Sequence, residues 1–127
     1  MPFIGRDEIL ASVDIKPERV DVPEWGSEAF VFVRPLSGLE RGHYEQMMGS
    51  LSKLDRYKQS RGLLCALAIC DESGNPVFTP NDVEHLSAKS AAPLDRCFDR
   101  IYARSGMGKE ESEAIEKNSE ATPGADG

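Results

Sequence analysis

Nine consecutive residues, Gly62 to Cys70 (GLLCALAIC), carry no charge and no polar side chain. A helix apolar on nearly every face is usually the buried central one, so such a run demands that other elements wrap around it. It is about half the ~20 residues that a bilayer span needs, which makes it a core segment and not a membrane anchor. The chain has 127 residues, 39% of them hydrophobic. That suffices for one domain with a modest core.

The segments around this run have legible partners for it. Arg6 to Val13 has the spacing of a short helix with Ile9, Leu10 and Val13 as its stripe. Arg19 to Val22 alternates polar and apolar, Pro23 stops it, and Trp25-Gly26-Ser27 reads as a turn. Ala29 to Arg34 (AFVFVR) is rich in strand formers, with Phe30 and Phe32 on one face and Val31 and Val33 on the other. These two runs predict a β-hairpin near residues 19–34. Pro35 closes it, and Ser37 with Glu40 forms the S-x-x-E signature of a capped helix. That helix carries Leu39, Tyr44, Met47, Met48, Leu51 and Leu54 at helical spacing, with Arg41, Glu45 and Ser52 opposite. Asp55 to Ser60 reads as a loop or a continuation of the helix, and Arg61 to Cys70 as the central helix. Asp71 to Pro76 is turn chemistry. Thr79, Pro80 and Asp82 cap a helix with Val83 and Leu86 inward, and Ser90 caps another with Leu94, Cys97, Phe98, Ile101 and Tyr102 inward. Ser105 to Gly108 ends it. Lys109 to Asn118 is a charged helix candidate. Residues 119–127 have no large apolar side chain and are expected to be a disordered acidic tail. The fold class is therefore α+β, mainly helical, with a short N-terminal hairpin. One domain spans 1–118, with the role of 1–18 open.

Several kinds of chemistry fail at their diagnostic positions. Asp71, Ser73, Asn75, Val77, Thr79 and Asp82 mimic a calcium loop, but Pro76 stands where glycine must make the sharp turn. Gly106-Met107-Gly108-Lys109 resembles the end of a phosphate loop, yet Ala103 replaces its first glycine and Glu110 its magnesium-binding hydroxyl. His43 and His85 are 42 residues apart, with no ligand spacing around either. Cys65, Cys70 and Cys97 lie in apolar surroundings and read as buried free thiols. No catalytic residue, cofactor site or metal site is expected. The net charge of −7 disfavours nucleic acid. The row Arg96, Arg100, Arg104 is interleaved with Asp95 and Asp99 and reads as a salt-bridged face. The opening MPFIGRDEIL lacks the apolar stretch of a secretion signal, so a cytoplasmic location is expected. This profile favours binding or assembly over catalysis. Met47 and Met48 read as core filling or as an adaptable partner surface. Tyr44, Met47, Met48 and Leu51 are the candidate protein-binding residues.

Two blocks point further. Pro23-Glu24-Trp25-Gly26 is followed by Val31, Val33, Arg34, Leu36, Ser37, Gly38, Glu40 and Arg41, and residues 63–101 follow the order L…DE-x-G…FT-x-x-DV-x-x-L-x-x-KS. Glu116-Lys117-Asn118 follows as an ending. Over roughly residues 18–118 the sequence resembles the tail assembly chaperones of phages and prophages with long non-contractile tails. The resemblance implies a non-enzymatic chaperone that binds the tape measure protein, keeps it soluble and helps recruit tail tube subunits. Such a protein acts in the host cytoplasm, is absent from the mature virion, and in many phages has a frameshifted C-terminal extension. Homo-oligomers would suit a long client, because linked sites raise effective concentration. The competing readings are a small cytosolic regulator or adaptor, and an enzyme subunit whose site needs another chain.

Overall fold

A computed structural model describes residues 2–107. The helix expected at 109–118, the tail at 119–127 and the Glu116-Lys117-Asn118 ending lie outside the described residues. Strand β1 (Glu18–Asp21) pairs antiparallel with β2 (Phe30–Val33), Val20 opposite Val31. The hairpin is as expected, its connection built on a 3-10 turn at Pro23–Trp25. Val20, Val22 and Val33 are buried, while Phe30 on the other face is exposed. This is the alternation that a half-covered sheet imposes.

The central apolar run does not stay helical to its end. Helix α3 spans Lys53–Ala68, and Ile69–Cys70 becomes a third strand, β3, on the free edge of β2. Val33 pairs with Ile69 and Phe32 with Cys70. Unpaired strand N–H and C=O groups are costly when buried, and a β-branched residue at the helix end supplies a partner for them. The backbone N–H of Arg34 likewise donates to the Ala68 carbonyl at 3.1 Å.

The single helix expected from Ser37 through Leu54 is two helices. Helix α2 spans Gly38–Ser50 and ends at Leu51. Ser52 then caps α3, its hydroxyl accepting from the Asp55 N–H. A second N-cap serine competes with helix continuation by binding the backbone of the next turn. Residues 55–60 are thus helix, and Leu39 and Leu54 are exposed. Helix α1 (Arg6–Ala11) forms, but buries none of its residues.

The run 71–75 is a turn in which the Asp71 carboxylate accepts from the N–H groups of Ser73 and Asn75, both at 2.9 Å. Phe78 returns to the core, whereas its neighbour Val77 stays exposed. Thr79 and Asp82 form a reciprocal cap around a 3-10 turn at Pro80–Asp82, and α4 (Val83–Ser87) follows with Leu86 buried. Helix α5 (Ala91–Arg104) buries Leu94, Cys97 and Ile101, and Phe98 stacks on Tyr102. It ends as the glycine pattern predicts. Gly106 has φ 77°, and the Met107 N–H donates back to the Tyr102 carbonyl, with Met107 itself buried.

The arginine row of α5 is a salt-bridged face with different partners from those expected. Arg96 holds Glu24 through two hydrogen bonds and Arg100 holds Glu18 the same way. Arg96 also donates to the Asp21 carbonyl. The row therefore ties α5 to the hairpin, and Asp95 pairs instead with Arg61 of α3. Aspartates at i±1 point off the arginine face, whereas the hairpin's glutamates lie across from it.

The core has α3 at its centre, under the sheet's valine face and between α4 and α5. Gly62 sets the distance to α4, since a side chain there would meet the Val83 carbonyl at 2.9 Å and the Ser87 hydroxyl closer still. Gly62→Ala should destabilise the fold by about 2 kcal/mol, despite alanine's better helix propensity. Urea denaturation checks this, and a neutral or stabilising result would mean that α4 moves away freely.

Candidate functional site

Strand β2 ends in a side chain that reaches three elements at once. Arg34 is buried, with 8% exposure. Its two terminal nitrogens hold the Glu40 carboxylate at 2.6 and 2.7 Å, and one also donates to the Leu67 carbonyl at 3.1 Å. Glu40 accepts in addition from the Ser37 N–H at 3.0 Å, while the Ser37 hydroxyl accepts from the Glu40 N–H at 3.1 Å. The capping box read from Ser37 and Glu40 is thus also one half of an ion pair. It joins β2, the first turn of α2 and the last turn of α3.

This clamp forms one end of an open groove of about 310 Å³. Helix α2 supplies His43 and Met47, α3 supplies Gln59, Leu63, Ala66 and Leu67, and the far wall is Pro76, Phe78, Pro80 and Val83. The lining is mainly apolar, with a few polar groups at fixed positions. Concave apolar grooves between helices are where helical ligands lay an apolar face.

The four candidate binding residues on α2 and its end separate. Met47 lines the groove and is 37% exposed. Tyr44 is in the core, and burial pushes its hydroxyl pKa up to about 12. Met48 packs against the core from beside it, and Leu51 is half-buried at the helix end. The far wall was missed from the sequence because Pro76 to Val83 reads only as a turn and cap. The signal was the spacing of Phe78 and Val83 on either side of Pro80, two apolar residues flanking a rigid bend.

Titratable groups in the described region serve the fold. Burial pushes the thiols of Cys65 and Cys97 up, away from the reactive thiolate, and all three cysteines are free and buried. Among the described residues no three His, Cys, Asp or Glu side chains cluster in a way that could hold a metal. No described helix is long and apolar enough to cross a membrane.

Removing Glu40 leaves Arg34 charged, buried and unpaired. Glu40→Ala should cost about 3 kcal/mol, the low end for breaking a buried pair, because Glu40 is only partly buried. Chemical denaturation reads it, and a loss well under 1 kcal/mol would show that the clamp is not needed. Acid should act the same way. Hydrogen bonds from arginines hold three carboxyls below their ordinary 4.5, Glu40 by Arg34, Glu18 by Arg100, and Glu24 down to about 2 by Arg96. A carboxyl depressed in the folded state contributes stability that is present above its unfolded pKa and lost as pH falls through the folded value. The melting temperature should therefore drop between pH 4.5 and about 2. Arg100→Gln should flatten part of that drop, and an unchanged acid profile would contradict the assignment.

No protein-family model matches the sequence, and no curated protein matches it. Among solved structures, the tail assembly chaperone of bacteriophage HK97 is similar, at 21% identity and a TM-score of 0.57, over 76% of this chain and 94% of that one. The β-hairpin, the helices around it and the groove between them are thus set in a chain that has the fold of a phage tail assembly chaperone.

Proposed function

We propose that this chain is a non-enzymatic tail assembly chaperone whose α2/α3 groove holds an amphipathic helix of the tape measure protein. The observation that carries the reading is the likeness to the HK97 chaperone, which spans nearly all of that chain. The groove supports it, being open, mainly apolar and bounded by rigid elements. A long helical client exposes apolar stripes before assembly and aggregates through them. A small acidic partner that covers one stripe per copy keeps the pair soluble, and the net charge of −7 contributes to that.

Met47 is the contact residue in this reading, with Leu51 at the end of α2 and Tyr44 and Met48 packing that helix onto the core. Several copies would line one tape measure chain and present it to tail tube subunits. The site of action is the host cytoplasm, and the protein leaves before the virion is complete. Residues 1–118 form the chaperone unit.

The test is co-expression with the tape measure protein of the phage or prophage that encodes this chain. The expected result is a soluble complex that co-purifies, and loss of the tape measure protein to the pellet with Met47→Glu. A tape measure protein equally insoluble with and without the chain would contradict the proposal, provided circular dichroism shows the chain folded.

A further inference from the structure

The segment 3–13, which includes helix α1, carries five apolar side chains that the described residues leave uncovered. Phe3 is 94% exposed, Leu10 69% and Val13 72%, and Ile4 and Ile9 are about half exposed. Single exposed apolar residues are ordinary, but five on one short segment mark a contact surface. The groove has the complementary deficit, apolar walls that no other described residue covers.

The tether relates the two. Pro17 lies against the 71–75 turn, its Cγ 3.9 Å from where a side chain on Gly74 would begin. Two residues after Gly74, Pro76 forms the groove wall. The six Cα–Cα steps from Ala11 to Pro17 extend to about 22 Å at most, which keeps the end of α1 within that radius of the wall. Among the described residues neither Glu8 nor Lys58 makes an ion pair within 4 Å, and Glu84 borders the same hollow as Lys58. Lys58 sits beside Gln59, Pro80 and Val83, which border the groove.

We propose that α1 is a tethered strap for the groove of its own chain. Closed, it lays Ile9, Leu10 and Val13 on Met47, Leu67 and Phe78 and brings Glu8 toward Lys58. In the structure α1 buries none of its residues and contributes none to the groove lining, the arrangement that corresponds to the open strap. A client helix must displace the strap, so an uncommitted chain hides its own binding surface. A tether this short gives an effective concentration in the millimolar range, enough to compete with weak clients and to yield to tight ones. The proposal rests on the groove being a helix-binding site and not on the identity of its client.

The probe is a labelled peptide of residues 2–14, titrated against the full chain and read by fluorescence anisotropy. Ile9→Asp with Leu10→Asp disables the strap without touching the core, because both residues are exposed. The peptide should bind that variant saturably and bind the unaltered chain at least tenfold more weakly. Adding Met47→Glu should abolish binding to the strap variant. Equal affinity for both chains, no binding to the strap variant, or binding insensitive to Met47→Glu would each overturn the proposal. So would light scattering showing a dimer that the strap substitutions dissociate, because α1 would then lie in a neighbour's groove. No tape measure protein enters this experiment, so its failure is separable from failure of the tail-assembly reading.

Discussion

The Arg34–Glu40 ion pair is the point on which the geometry of the groove depends. A strand, a helix start and a helix end meet there, and each brings a polar group that would otherwise be left without a partner. The guanidinium satisfies the Leu67 carbonyl near the end of α3, where no further turn exists to accept from. The carboxylate holds the Ser37 N–H at the start of α2 and lies at that helix's positive end. Burial raises the cost of losing either partner, and the bidentate geometry fixes the angle between α2 and α3. That angle is the opening of the groove.

A second set of arginines, on α5, works by weaker means. Arg96 and Arg100 hold the hairpin against α5 from exposed positions, where ion pairs contribute little individually. Their role is registry. Two bidentate contacts one helical turn apart on α5 meet Glu18 at the start of β1 and Glu24 in the turn after it, and together they set the placement of the hairpin. The buried pair and the exposed row thus divide the work, one setting how helices meet and the other setting where the sheet sits.

Much of this was legible in the sequence where a local rule had no competitor. The hairpin followed from two strand-forming runs around a proline-bounded turn, and the α2 cap from Ser37 and Glu40. The break at Leu51-Ser52 was obscured because apolar spacing continued through Leu54, while the second serine cap imposed a new helix. Ile69 and Cys70 left the helix for the sheet because β2 had an unpaired edge, a tertiary demand that no local pattern contains. The candidate site divided for the same reason. Periodicity put Met47 on the apolar stripe with Tyr44, whereas in the fold it is 37% exposed and lines the groove. Tyr44, one turn earlier, is buried by elements distant in sequence.

The proposed helix-binding role places its occupant between α2, α3 and the 76–83 segment. Hydrogen–deuterium exchange of the chain, alone and mixed with the proposed tape measure client, tests this most directly. Slowed exchange should fall on residues 43–48, 59–67 and 76–83, with little change along α5. Protection confined to the outer face of the hairpin or to the arginine face of α5, with the groove segments unchanged, would contradict the account.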